Sequence, residues 1–357
     1  MIMEKLAKTK TIYLALSGGV DSAVAAVLLQ KQGYQVIGCF MKNWSDESGV
    51  GGDCPWERDQ KDAQAVCEHL GIEFRSYNFE KQYRAKVISY FFTEIKAGRT
   101  PNPDVLCNSE IKFGIFLQRA LEDGADLIAT GHYARVKKED GVYKLLKGID
   151  SNKDQSYFLC ELDQEQLSKT LFPIGEFTKP QIRQIALDNK LPVADKKDSQ
   201  GICFVGKINV GKFLRDNIKG EIGLIMDMDT KEIVGKHDGV AFYTIGQREG
   251  LNIGGSTLPY FVCGKDKINN ILYVAKGKDN ARLFSSEVEF DKIHYVIPQK
   301  YWDPDNLSAS IRYRQKAEVG KLIGNKFSFA SLQRAIAQGQ KIVFYNDDVL
   351  LGSATII

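Results

Sequence analysis

Two sets of residues in this chain carry chemistry that packing alone does not require. One is the string Ser17-Gly18-Gly19-Val20-Asp21-Ser22, which follows an apolar run ending in Ala15 and Leu16. Glycines at such a place let backbone N–H groups close on an anion, and the start of a following helix adds partial positive charge. Ser17 and Ser22 supply hydroxyl donors. No lysine follows the glycines, so the string is not a P-loop of the Walker type. Asp21 does not hold phosphate by itself, but it suits a Mg²⁺ ion that does; it would equally suit a place near a helix N-cap. A plain strand–helix turn accounts for Gly-Gly alone, whereas all six residues after an apolar strand point to a nucleotide site.

The other set lies among seven cysteines: Cys39, Cys54, Cys67, Cys107, Cys160, Cys203 and Cys263. The odd number, the wide scatter and the lack of a C-x-x-C pair argue against a disulfide framework and a zinc ribbon. Cys107 in "GRTPNPDVLCNSEIKF" and Cys203 in "KKDSQGICFVG" stand in turn-like, polar stretches. Cys107 is expected just ahead of a helix over residues 108–123, where the dipole favours thiolate. Asp104, three residues earlier, suits a general acid/base or a cap on the following turn. Cys39, Cys67, Cys160 and Cys263 lie in apolar or periodic runs and read as small buried hydrophobes. Cys54, inside the Gly-rich insert "KNWSDESGVGGDCPWE", stays undecided.

These residues need elements to hold them. With 357 residues, 43% of them apolar, the chain can build two or three domains. A net charge of +3 neither demands nor excludes a nucleic-acid partner. The opening "MIMEKLAKTKTIYLALSGG" has no long apolar h-region and no run able to span a bilayer, so the expectation is a cytoplasmic protein with no membrane partner. Apolar runs such as "TIYLAL", "QVIGCFM", "IEFRSYNF" and "DLIATGHYA" alternate with helical periods. That alternation predicts an α/β domain whose parallel sheet is covered on both faces, with ligands at the carboxyl ends of the strands. From about residue 206, short strands separated by Gly and Asp turns predict one or two small β domains, with a second boundary near 284. A short helical period is expected around "SLQRAIAQ". Alternation in "SIRYRQKAEV" puts Arg312 and Arg314 on one strand face, as a generic solvated strand would also do.

The string "SGGVDS" resembles the PP-loop of the ATP pyrophosphatases, which release pyrophosphate from ATP and leave an AMP-activated substrate. Further strings, "FMKNW", "TPNPDVLCN", "IATGHYA", "KDQSYFL", "DSQGICF", "YTIGQR" and "RYR", occur in an order similar to that of the bacterial tRNA-specific 2-thiouridylases. The resemblance runs over nearly the whole chain. It implies a PP-loop ATPase domain (residues 1–206) with both cysteines, a small central β domain (207–284) and a C-terminal β-barrel (285–357). It also implies sulfur transfer to the wobble uridine of tRNA, with ATP and Mg²⁺ as cofactors. Cys203 would carry the sulfur as a persulfide, received from a donor protein that is either a cysteine desulfurase or a sulfur relay. Cys107 would be the nucleophile that assists its release, closing a disulfide with Cys203.

The remaining residues follow from the same resemblance. Residues Ala15 to Ser22, Met41 and Gly131 would meet ATP; Met41 would equally serve as core packing. Asn102, Pro103 and Asp104 match the target-base loop. His132, Lys153, Asp154, Gln155, Arg312, Tyr313 and Gln340 match tRNA contacts, although a lone His is as often structural. Two other readings stay open: a PP-loop synthetase that passes its activated substrate to ammonia or an amino acid, and a non-catalytic RNA-binding protein that holds ATP as a structural ligand. The two cysteines separate the thiolation reading from both.

Overall fold

The computed structural model describes residues 9–45, 56–197 and 210–357. Cys54 and Cys203 lie outside the described residues. The chain divides into two compact units: Met1–Lys86, Asp104–Lys207 and Asp348–Leu350 form one, and Val87–Pro103, Ile208–Asp347 and Leu351–Ile357 form the other.

The first unit is built on a parallel sheet. Its strands are β1 (Thr11–Ala15), β2 (Gln35–Lys42), β3 (Glu73–Asn78), β4 (Leu127–Thr130) and β7 (Thr170–Leu171), in the order β3-β2-β1-β4-β7. Between β4 and β7 the chain forms the hairpin β5 (Ala134–Glu139) and β6 (Val142–Lys147), turned by Asp140 and Gly141, both at positive φ. The period-2 alternation of β1 sends Ile12 and Leu14 to one face. There they pack with α1 (Val20–Lys31), α2 (Trp56–Leu70) and α4 (Lys179–Asp188) through Val24, Val66 and Ile182. Tyr13 points the other way, and its hydroxyl donates to the Asp123 carbonyl at 2.9 Å, just past the end of α3 (residues 103–122). Because β2 lies on one side of β1 and β4 on the other, the strand order reverses at β1. In such sheets that reversal opens the crevice where ligands bind.

Two details differ from the expected elements. The run "DLIATGHYA" is not one strand: β4 stops at Thr130 and β5 begins at Ala134, with Gly131, His132 and Tyr133 between them. Gly131 sits so close to α1 that an added Cβ would lie 2.7 Å from the Ser22 amide nitrogen. The helix expected over 108–123 begins earlier, at Pro103. Proline has φ preset for a first helical position and needs no N–H acceptor there.

The second unit contains the helical segment Ser89–Lys96, the short helix α5 (Val210–Asn217) and two β sheets. Phe92 stacks on Phe213 at 5.4 Å. One sheet joins β8 (Gly223–Asp227), β9 (Ile233–His237), β10 (Tyr260–Asp266) and β11 (Ile271–Lys276) in the order β10-β11-β8-β9, over a core of Ile225, Val262, Leu272 and Val274. The other runs β12-β16-β15-β14-β17-β18, where β12 is Phe284–Glu289, β14 Leu307–Ser310, β15 Glu318–Ile323, β16 Lys326–Arg334, β17 Lys341–Asn346 and β18 Val349–Thr355. The two-residue strand β13 (His294–Tyr295) pairs with β18. Phe290, Phe327 and Phe344 fill its centre with ring contacts of 5.5 and 5.8 Å.

The helix expected around "SLQRAIAQ" is instead the end of β16 and the loop after it. Gln333 and Arg334 pair with Ser285 and Phe284, and Ala335 takes φ +56°, outside any right-handed helix. Arg312 and Arg314 are not on a strand face either. They lie in the turn between β14 and β15, where Arg314 has φ +61°. The Gln315 side chain closes that turn by accepting from the Ile311 amide at 3.1 Å.

Candidate active site

The six-residue string stands where β1 ends, at the reversal of strand order. Leu16 is still tied to the sheet through its amide and the Cys39 carbonyl at 2.8 Å. Gly18 has φ +71°, and a Cβ there would lie 2.3 Å from the Asp59 carbonyl oxygen of α2, so only glycine fits. Gly19 is the N-cap of α1 and offers no side chain to the first amides of the helix. No side-chain cap takes those amides among the described residues, which suits an anion there, and the exposed Ser17 stands beside them. Ser22 differs from the expected phosphate donor. It is buried, and its hydroxyl braces the loop from inside: it accepts from the Ser17 amide at 3.2 Å and donates to the Gly19 carbonyl at 3.1 Å.

Asp21 does not cap the helix. Its Oδ1 accepts from the Tyr133 hydroxyl at 2.8 Å and from Lys179 Nζ, at the start of α4, at 2.7 Å. A second lysine, Lys196, donates to the Gly18 carbonyl at 2.9 Å and to Asp59 Oδ1 at 2.7 Å, and also contacts Asp62. The lysine that the local string lacks is therefore matched by two lysines from distant parts of the chain. Sequence reading missed both, because neither neighbours the loop in sequence. Met41 is buried near the carboxyl end of β2. Two residues on, Asn43 is buried with neither amide nitrogen nor oxygen hydrogen-bonded among the described residues. An orphaned donor–acceptor pair at the carboxyl edge of the sheet suits a ligand with complementary polar edges, such as a nucleobase. Among the described residues no cluster of three or more metal-ligating side chains occurs.

Asp104 lies in the first turn of α3, and Cys107 follows one turn later, where the helix widens into a π stretch over Cys107–Ile115. This corrects the polar, pre-helical placement expected for Cys107: its side chain is fully buried. Being inside the helix removes it from the outermost amides, where the dipole acts most strongly. The wide turn has its own signature. Gly114 brings its backbone so near the Ser109 carbonyl oxygen that a Cβ would sit 2.9 Å away. Asn108, also buried, donates to the Phe158 carbonyl at 3.0 Å while its Oδ1 has no partner among the described residues. The buried packing role read for Cys39, Cys67 and Cys160 agrees with their surroundings, whereas Cys263 on β10 is only half-buried. Cys39 and Cys67 are buried and burial pushes both thiols up, Cys67 to about 12.

His132 is buried, with Nδ1 2.6 Å from Thr130 Oγ1 and Nε2 3.4 Å from Lys112 Nζ of α3. Burial, and then the lysine, hold its pKa well below the usual histidine value, so the imidazole is neutral. Asp154 and Gln155 also look inward. Asp154 accepts from the amides of Gly148 and Ser156, and Gln155 Oε1 accepts from the Tyr133 amide at 3.0 Å. Lys153, beside them, is half-buried. In the second unit, Arg312 Nη1 donates to the Arg334 carbonyl at 3.1 Å, and Arg314 lies over the Tyr313 ring at 5.3 Å. Asn102 and Pro103 are half-buried. Gln340 Nε2 donates to the carbonyls of Thr100 at 2.8 Å and Pro101 at 3.3 Å.

A glycine loop with an open helix N-terminus, at the strand-order reversal of a parallel sheet, defines an α/β nucleotide-binding protein, here followed by two β domains. The comparisons agree: residues 10–207 match the family described as tRNA methyl transferase HUP domain, 211–276 its PRC-barrel domain, and 285–356 the aminomethyltransferase beta-barrel domain. The chain is 49% identical to tRNA-specific 2-thiouridylase MnmA 2 of Geobacillus kaustophilus, over 99% of this chain and 96% of that one. It is equally similar to tRNA-specific 2-thiouridylase MnmA of Bacillus cytotoxicus, 49% over the same shares. It belongs to the tRNA-specific 2-thiouridylase family. Among solved structures, a 4-thiouridine synthetase–RNA complex with bound ATP is similar at a TM-score of 0.35 and 16% identity, over 56% of this chain and 46% of that one. So slight a likeness carries nothing further.

Proposed function

We propose that this protein uses ATP to replace the C2 oxygen of the wobble uridine of tRNA with sulfur. The observation that carries the reading is the full-length identity to the 2-thiouridylases, joined to a loop whose Gly18 and uncapped α1 suit a phosphate. The first amides of α1 and Ser17 hold the phosphates. Lys179 and Lys196 supply the positive charge that the string itself lacks, and Asn43 and Met41 meet the adenine. Mg²⁺, when bound with ATP, would neutralise phosphate charge; Asp21 would help to hold it by exchanging its bond with Lys179 for the ion.

The uridine O2 attacks the α-phosphorus and pyrophosphate leaves, which turns a poor leaving group into AMP. The terminal sulfur of a Cys203 persulfide then adds at C2 and AMP departs. That leaves the sulfur shared between C2 and Cys203. The Cys107 thiolate attacks Sγ of Cys203, which breaks the persulfide bond, releases 2-thiouridine and forms a Cys107–Cys203 disulfide. A thiol reductant restores both cysteines. Asp104, one turn before Cys107 on α3, would take the thiol proton. Because Cys107 is buried, this step requires α3 to shift or the pocket to open. Asn102, just ahead of the helix, and Pro103, its first residue, would face the target base, while Lys153, Arg312 and Tyr313 would meet the tRNA backbone. His132, Asp154 and Gln155, held by bonds within the first unit, would stiffen it rather than touch tRNA. The domain limits at 206 and 284 are part of this reading.

The test is direct. Unmodified tRNA, ATP and a persulfide-loaded protein should yield 2-thiouridine in digested nucleosides, one pyrophosphate and one AMP per sulfur. Pyrophosphate release with no thiolated nucleoside would favour the synthetase reading. No pyrophosphate release with unmodified tRNA would favour the RNA-binding one.

A further inference from the structure

The segment that leads into α3 is fastened by residues far along the chain, all within the second unit. It reads Gly98-Arg99-Thr100-Pro101-Asn102-Pro103. Two of these six residues are prolines, which have no N–H, so the segment has few donors with which to anchor itself. Its carbonyls are held from outside instead. Gln340 Nε2 donates to Thr100 at 2.8 Å and to Pro101 at 3.3 Å. The Thr100 amide donates to the Gln338 carbonyl at 2.7 Å. Between these two glutamines, Gly339 comes so close that a Cβ would lie 2.9 Å from both Arg99 Cβ and the Thr100 amide.

The central sheet supplies the other fastening. Lys265 Nζ, from β10, donates to the Gly98 carbonyl at 2.9 Å, at the end of the Ser89–Lys96 helix. A cation is favoured at that end by the helix dipole. Thr244 reaches the Thr100 hydroxyl at 3.5 Å. Arg99, next in the chain, is paired through its guanidinium with the buried Glu94, with Nε at 2.6 Å.

We propose that Gln340 and Lys265 are positioning residues that set the path of the chain into α3, and so the setting of Asp104 and Cys107 on its first turns. The inference rests on the thiolation reading above and alters one part of it. Gln340 was expected to touch tRNA, but its amide donor is directed at the backbone of the catalytic segment. Through that donor Gln340 acts on the rate of sulfur transfer.

The test uses the full-length protein with Gln340→Leu and, separately, Lys265→Met. Hydrogen exchange of the peptide spanning residues 97–106 should quicken in both variants, by about tenfold or more, while exchange in β1 and α1 stays unchanged. At saturating tRNA, kcat for 2-thiouridine formation should fall by about tenfold or more, since small misplacements of reacting groups are costly. Kd for tRNA should stay within about twofold of the parent protein in Lys265→Met, whose ammonium is given to the Gly98 carbonyl. Weakened tRNA binding with unchanged kcat would make Gln340 a tRNA contact and overturn the proposal. So would unchanged exchange in both variants, or faster exchange with unchanged kcat. If one variant does not fold, the other decides. Should the parent protein form no 2-thiouridine at all, the thiolation reading fails, while the exchange result still decides whether the clamp exists.

Discussion

Asp21 and Cys107 show how residue type and surroundings divide the work of inference. Asp21 was legible as part of a nucleotide loop, but its partners were not, because Lys179 lies 158 residues further along and Tyr133 lies 112. Only a folded sheet brings them together. Asp21→Asn keeps the shape and removes the charge. It should slow pyrophosphate release by about a hundredfold, the scale of a lost electrostatic contact, with tRNA affinity unchanged. A coupled pyrophosphate assay reads the first and filter binding the second; normal turnover would remove Asp21 from ATP handling. The cysteines are separable by mass. Cys107→Ser should still accept sulfur on Cys203, gaining about 32 Da, yet form no 2-thiouridine. Cys203→Ser should gain no such adduct, because a hydroxyl holds no transferable sulfur. An adduct on Cys107 that survives Cys203→Ser would reverse the two roles.

At the scale of elements, the sheet was legible because buried parallel strands are nearly continuous apolar runs, and β1 and β2 are of that kind. The start of α3 was not, because "TPNPDV" carries turn residues that also suit a helix N-terminus, and proline serves both. The turn holding Arg312 was misread as a strand because alternation in sequence says nothing of a positive φ at Arg314. That turn carries its own prediction. If Arg312 contacts a tRNA phosphate, Arg312→Ala should lower the slope of log K against log salt by about 0.7–0.9, with ATP binding unaffected. An unchanged slope would leave Arg312 as a fastener of its own turn. The loop between β1 and α1 carries another. Gly18→Ala places a methyl group against the Asp59 carbonyl at positive φ, so it should cost about 1–3 kcal/mol of stability and abolish pyrophosphate release. A thermal midpoint equal to that of the parent protein would show that α2 yields to the methyl group without strain.

Across the whole molecule, an α/β part followed by β parts was visible in the change of periodicity, whereas the fastening of residues 98–101 was not, since its partners are carbonyls and scattered polar side chains. Lys265 gives that fastening a pH signature. Burial lowers its pKa from 10.5 to about 8. Between those values the unfolded chain binds more protons than the folded one, so this lysine makes stability rise with pH across that window and opposes folding most below it. The thermal midpoint of the parent protein, relative to that of Lys265→Met, should therefore climb from about pH 8 to pH 10. A flat difference would mean that the ammonium is well solvated. The hold of Gln340 on Thr100 also has a consequence in time. The two residues are 240 positions apart, so a ribosome adding about 5–20 residues per second makes the second roughly 10–50 s after the first. The nucleotide loop and the two lysines that close on it, Lys179 and Lys196, are all made before Gln340 is there to fasten residues 98–101. A nascent or prematurely terminated chain would thus have the means to grip ATP before it has the means to spend it on sulfur transfer.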